Sequence, residues 1–282
     1  MSKLYLGIDI GGTSIVAARF SDNEMLDKKE VPTGADRPAG QIMESLYEAI
    51  ALVLTPEVVG IGIGMPGFMN AETGEIMQIN NIPSFNGYAI KPRVEEKFNL
   101  PTFQNNDANC FALGETYYGA GKKYTNLVGV TLGTGLGGGI ILNRKIHTGL
   151  MGGAGELGCV PFHGGISEDI CSAALFKNKY RTTGTELYKK AKAGDQAALA
   201  VFDELAHNIG ELFRIVMYVL APEAFIVGGS VANSWDLLEK PLREEVNNFL
   251  VPMISKNVDL VKAELDNAGL YGAAALCISQ ME

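Results

Sequence analysis

Asp9 and Asp107 are two carboxylates standing where packing alone has little use for them. Asp9 closes an apolar run that starts at Leu4, two residues before the turn Gly11-Gly12-Thr13. A carboxylate at the end of a buried strand can hold Mg2+ through water beside a polyphosphate, or can cap the turn. Asp107 sits in Asn105-Asn106-Asp107-Ala108-Asn109, where a strand ends and a helix from Ala108 to Tyr118 begins. Aspartate caps helices well. A cap needs a single polar side chain, whereas Asn105, Asn106, Asp107 and Asn109 cluster here, which favours a site. A positioned carboxylate in that place can take the proton from an attacking hydroxyl, the base role of phosphoryl transfer.

The glycine loops suit the other side of such a reaction. Leu127–Leu132 and Ile140–Leu142 read as short buried strands joined by a nearly bare tip, with Thr131, Gly133, Thr134, Gly135 and Gly137 in it,. Backbone N–H groups with no Cβ in the way approach anions closely, and threonine hydroxyls add donors, so a phosphate suits the tip; a plain bulged turn is the other reading. Leu4–Phe20 has the same plan around Gly11, Gly12 and Thr13. A device used twice suggests a clamp on the phosphates of one nucleotide. A third strand-to-glycine turn, Gly228-Gly229 within Ala224–Asn233, suits a nucleoside.

Polar loops suggest a hydroxyl-rich second ligand. Asn80–Gly87 gathers asparagines, a serine and Phe85; amides match polyol hydroxyls and an aromatic ring can lie on a pyranose face, although asparagine also favours turns. The Met65-Pro66-Gly67 turn is a candidate pocket wall or a plain tight turn,. Glu156, flanked by Gly155 and Gly158, is either an exposed loop tip or a hydroxyl-binding carboxylate. Glu168 opens a helix, where a dipole effect alone suffices to explain an acid,.

The elements that hold these residues alternate. A helical stripe of Ile42, Leu46, Ile50 and Leu54 precedes a buried strand that runs into Gly64-Met65-Pro66-Gly67,. Helix from Glu186 onward stops at Pro222, a helix runs from Trp235 to Leu250, and a strand covers Val258–Ala263,. This is an α/β succession. The 282 residues, 47% hydrophobic with mean hydropathy +0.11, hold no apolar run near the roughly 20 residues that span a bilayer,. A net charge of −9 and pI near 5.0 argue against nucleic acid as a partner,. No leader or DNA-binding headpiece precedes the first strand, so the expected compartment is the cytoplasm,. Cys110, Cys159, Cys171 and Cys277 lack metal-ligand spacing, and His163 stands without partners,. No zinc site and no disulfide are expected.

Taken together, Asp9-Ile-Gly-Gly-Thr13, Gly64-Met-Pro-Gly67, Asn81-Ile-Pro83, Asn106-Asp107, Thr131–Gly139, Gly155-Glu-Leu-Gly158 and Val227-Gly-Gly229 resemble, in order, the motifs of the ROK family of bacterial sugar kinases, within the actin-like ATPase superfamily of hexokinase and Hsp70. The resemblance covers essentially the whole chain. It implies two RNase H-like α/β domains around a central cleft: a small N-terminal domain, 1–106 closed by the C-terminal helix 268–282, and a large one, 107–267. It also implies a homodimer that transfers the γ-phosphoryl of ATP, with Mg2+, to a primary hydroxyl of a hexose such as glucose or an N-acetylhexosamine. Asp107 falls on the family's base, Gly67, Asn81, Asn106, Glu156 and Glu168 on its sugar side, and Gly11–Thr13, Thr131–Gly137 and Gly228-Gly229 on its nucleotide side. Two departures stand out. Cys159 replaces a histidine that follows Glu-x-Gly, and the zinc cluster C-x-C-G-x-x-G-C-x-E is absent. A sugar sensor without activity is the alternative these losses raise.

Overall fold

The computed structural model describes residues 3–21, 24–70 and 73–281. The chain divides into two compact units, 1–123 with 139–154 and 264–282, and 124–138 with 155–263. In the first, β1 (Leu4–Ile10), β2 (Ser14–Phe20) and β3 (Met25–Pro32) form an antiparallel meander. α1 (Ala39–Val53) follows because Ile42, Leu46 and Ile50, spaced by four, give one fully buried face,. Next come β4 (Val58–Met65), the small hairpin of β5 (Phe68–Met69) and β6 (Ile76–Gln78), α2 (Lys91–Phe98), β7 (Thr102–Asn106) and α3 (Asp107–Tyr118). The sheet runs β3-β2-β1-β4-β7, with β4 parallel to both neighbours.

The chain continues through β8 (Leu127–Leu132), β9 (Leu136–Leu142) and β10 (Lys145–Ile146), then the short pair β11 (Pro161–Phe162) and β12 (Gly165–Ile166). Helices α4 (Ser167–Cys171), α5 (Ala174–Asn178), α6 (Gly184–Lys192) and α7 (Gln196–Leu220) precede β13 (Ala224–Gly228), α8 (Trp235–Val246), α9 (Pro252–Ser255) and β14 (Asp259–Lys262). The second sheet, β10-β9-β8-β13-β14, repeats the order of the first strand for strand, and its last pairs are again parallel. Phe202, Leu205, Phe213, Phe225 and Val246 centre the core of the second unit. The helix expected as far as Leu250 ends at Val246, and the strand expected over Val258–Ala263 is shorter at both ends.

α10 (Ala268–Met281) returns to the first unit. It lies directly on β4 and α3 because the facing positions have no side chain. A Cβ on Gly62 would collide with the backbone of Ala273, one on Gly114 with that of Ala268, and one on Gly272 with that of Cys110,. This contact moves the boundary. The division expected at 106/107 falls at 123/124, since α3 packs on α10, and Gly139 of β9 lies against Ala108 and Ala112 of α3. Cys110, Cys171 and Cys277 are buried, while Cys159 is exposed.

Candidate active site

The first unit brings its carboxylates to one edge of its sheet. Parallel pairing sets Asp9 of β1 opposite Gly64 of β4, and Met65 opposite Asn106 of β7, so the carboxyl ends of three strands line up. In α/β sheets that edge is where ligands bind. Asp9 is largely enclosed, and its pKa rises from 3.8 to about 6, first because burial disfavours the charge and then because Asp107 is near,. Asp107 is open to solvent on its outer side yet crowded by protein atoms, and that crowding lifts its pKa against hydrogen bonding from the Ala108 N–H.

The cap of α3 is supplied by the residue before Asp107. Asn106 is the N-cap of α3, its Oδ1 accepting the Ala108 N–H at 2.8 Å,. Its amide also donates to the Gly67 carbonyl at 3.1 Å, bracing the helix start against the Met65–Gly67 turn. A carboxamide offers more than these two bonds. Below it, Asn105 Oδ1 accepts from the Asn106 N–H and from Asn109 Nδ2, each at 2.9 Å.

The first glycine turn is pinned from beneath. Fully buried Thr33 donates its hydroxyl to the Gly11 carbonyl at 2.6 Å and its N–H to the Thr13 carbonyl at 3.0 Å. Gly12 abuts Asn81, whose carbonyl would lie 3.4 Å from a Cβ there. Asn81 itself is exposed and lines a cavity of about 190 Å3 with Pro66, Gly67, Gln78 and Asn80. Two expectations for this loop are corrected. Phe85 is fully buried and stacks on Tyr88, so it offers no face to a sugar. Asn86 spends its amide on Ile79 and Pro83 and shapes the loop.

The second unit holds the other glycine loop. Thr131 of β8 pairs with Gly228 of β13, so the Thr131–Gly137 tip and the Gly228-Gly229 turn leave the sheet at one edge. Gly229 takes φ 84°, and a Cβ there would strike the Leu132 backbone. The tip closes through Gly133 N–H to the Gly135 carbonyl at 2.9 Å. Three ties come from the α4 side: Ala173 N–H to the Gly133 carbonyl at 3.0 Å, Ser172 hydroxyl to the Thr134 carbonyl at 3.3 Å, and Leu136 N–H to Glu168 Oε2 at 2.9 Å. Beside Gly229, Ser230, Asn233, Thr185, Tyr188 and Phe176 line a cavity of about 320 Å3. Thr185, Tyr188 and Asn233 escaped the sequence reading, because helical residues converge on a turn only in the fold.

Glu156, Cys159 and Glu168 come together. Cys159 Sγ lies 4.0 Å from Glu156 Oε2, and burial followed by the charges of Glu156 and Glu168 raises the thiol pKa. His163 is not part of this group; contrary to the sequence reading it has a partner, Glu211 of α7, at 2.9 Å. Among the described residues no three His, Cys, Asp or Glu side chains gather as a metal site. Asp9 fits a different arrangement: a largely enclosed carboxylate whose pKa is raised by burial and by Asp107 suits a hydrated divalent ion held through water,.

The ROK family pattern matches residues 5–280. A glucokinase of Halalkalibacterium halodurans is 32% identical over 99% of this chain and 96% of its own length. An N-acetyl-D-glucosamine kinase of Pasteurella multocida is also 32% identical, over 97% of this chain and 99% of that protein. A ROK glucokinase of Streptomyces griseus, solved with glucose and AMPPNP, superposes with TM-score 0.76 at 28% identity, covering 97% and 98% of the two chains. The paired sheets are those of the actin-like ATPase fold. The chain belongs to the ROK family.

Proposed function

We propose that this protein transfers the γ-phosphoryl group of ATP to a primary hydroxyl of a hexose, glucose or an N-acetylhexosamine, with Asp107 as general base. The observation that carries the reading is that Asn106 takes the capping role, leaving Asp107 beside Asp9 with a carboxylate whose proton affinity is raised. Such a carboxylate is a stronger base than an ordinary surface aspartate. The sugar hydroxyl loses its proton to Asp107 as its oxygen bonds to the γ-phosphorus, and the bond from that phosphorus to the β–γ bridging oxygen breaks, releasing ADP.

Asn81, Asn106, Glu156 and Glu168, with the Gly67 turn, are assigned to the sugar. Gly11, Gly12 and Thr13, and Thr131, Gly133, Thr134, Gly135 and Gly137, offer N–H and hydroxyl donors to phosphates, and Gly228-Gly229 with the cavity beside it takes the nucleoside,. Mg2+, when bound, neutralises charge on the phosphates, and Asp9 is the side chain that would hold it through water. The chemistry needs positioning and charge more than a covalent nucleophile. The glucokinase and N-acetylglucosamine kinase relatives support a hexose and leave its 2-substituent open; Cys159, beside Glu156, is the residue of this chain assigned to that choice.

The test is a coupled ADP-release assay with the intact protein over glucose, N-acetylglucosamine, N-acetylmannosamine, mannose and fructose. Turnover with one or two of these is expected. Sugar binding by calorimetry with no nucleotide binding and no turnover identifies a sensor and ends the kinase reading. A homodimer in the cytoplasm belongs to the same proposal, and light scattering at micromolar concentration reads the oligomeric part.

A further inference from the structure

From the second unit we infer that Glu168 has two tasks, serving as a positioning residue for the phosphate loop as well as a ligand of the hexose. The sugar half rests on the kinase reading. The loop half rests on contacts within the second unit.

Glu168 Oε2 accepts the N–H of Leu136, inside the Thr131–Gly137 tip, at 2.9 Å. A bond to a carboxylate is stronger than one between neutral groups. Gly135 is shaped for that contact, since a Cβ there would run into the Glu168 carboxylate. Gly158 lies on the same group, with Glu168 Oε2 3.5 Å from where its Cβ would be and the Leu136 carbonyl closer still. The other two ties to the tip come from Ser172 and Ala173, which directly follow α4, the short helix that carries Glu168. Ser172 is fully buried, and its hydroxyl also reaches the Glu168 carbonyl at 2.7 Å. One short segment therefore orients a loop whose value to a nucleotide is the direction of its N–H groups.

Glu168 is half-buried, and Oε1 is the oxygen turned away from the Gly135 contact. That leaves one carboxylate oxygen for the loop and the other for a sugar hydroxyl. A loop that spends less time in its competent shape binds nucleotide more weakly in the same proportion. Glu168 thus sets ATP affinity even with no sugar present, which a residue serving only the sugar does not do.

The experiment is a calorimetric titration with AMPPNP and Mg2+ in the absence of sugar, joined to hydrogen exchange of the Leu136 amide. The proteins are the unmodified chain, Glu168→Ala, Glu168→Asp, Glu168→Gln and Glu156→Ala. Loss of one charge-assisted bond should raise the nucleotide Kd of Glu168→Ala by about tenfold. The Leu136 amide should exchange faster in the same variant. Glu168→Asp keeps the charge but falls one methylene short of Leu136, and should behave alike if the alanine variant does not fold. Glu168→Gln still presents an acceptor, so its nucleotide Kd should stay within about threefold while KM for the sugar rises. Glu156→Ala should leave nucleotide binding unchanged. Unchanged Kd and exchange in Glu168→Ala and Glu168→Asp overturn this inference alone. A chain that binds no nucleotide overturns the kinase reading and this one with it.

Discussion

Replacing Asp107 with asparagine separates a base from a structural residue. The substitution keeps the side chain's shape and an oxygen that can still accept the Ala108 N–H, a bond of 2.9 Å in the native protein. The cap of α3 is untouched because Asn106 supplies it. What is lost is a negative charge in the first turn, about 0.3–1 kcal/mol of dipole interaction, offset by relief of the desolvation that raises the Asp107 pKa,. Thermal stability should therefore move by no more than about 3 °C. The proton acceptor is gone, and general-base terms are worth about 10² to 10⁴ in rate, or about 2.7–5.5 kcal/mol of barrier. Steady-state assays should show kcat down by at least the lower figure with KM for the sugar near its original value. The pH profile adds a second reading. A base works only when ionised, so kcat/KM of the native protein falls as pH drops through the Asp107 pKa, and the raised pKa moves that limb upward from where an ordinary aspartate would put it. The variant should lack it. A loss of less than about tenfold in a folded variant, or an unmoved acid limb, refutes the base assignment.

Three further substitutions test the scaffold. Asp9 takes up a proton on folding, because its pKa rises from 3.8 to about 6, so its contribution is present below pH 4 and lost as pH rises through 6,. Without nucleotide and metal, Asp9→Asn should remove up to about 3 kcal/mol of the decline in urea stability between pH 4 and 7.5, and an identical slope in both proteins contradicts the shift. Glu115 is fully buried and accepts the N–H groups of Ala120 at 2.8 Å, Leu265 at 2.9 Å and Glu264 at 3.3 Å. Glu115→Ala strands those donors and should cost about 3–5 kcal/mol by urea titration; a cost under about 1 kcal/mol means that water replaces the carboxylate. Gly272→Ala would add about 1 kcal/mol in an isolated helix, yet here the new methyl meets the Cys110 backbone, so a net loss of about 1–3 kcal/mol is expected,. A raised melting temperature would show that α10 can move off α3.

The framework of the candidate site was legible because it is local. Asp9 with Gly11-Gly12-Thr13, the Thr131–Gly137 tip and Gly228-Gly229 are each a strand end followed at once by the glycines it needs, and the structure puts each on such a turn. The α1 stripe was equally readable, since a spacing of four places Ile42, Leu46 and Ile50 on one face with no help from elsewhere,. Phe85 was misread because composition describes a loop without saying which way an aromatic points; it had Tyr88 and the core beside it. The partner of His163 is not legible in the sequence because Glu211 is 48 positions along the chain.

The succession of strands and helices along the chain, the glycine turns and the helical periods belong to the sequence by itself, because each depends on residues within one or two turns of one another. The tertiary structure alone decided which polar groups were already spent. It assigned the cap to Asn106 and so released Asp107, and it gave Asn86 to its own loop. It tied Glu168 to Leu136 across 32 positions and carried α3 into the first unit by seating it on α10. Burial that raises a carboxylate pKa, and a hydrogen bond that occupies one of its oxygens, come from atoms remote in the chain, and no local pattern encodes them.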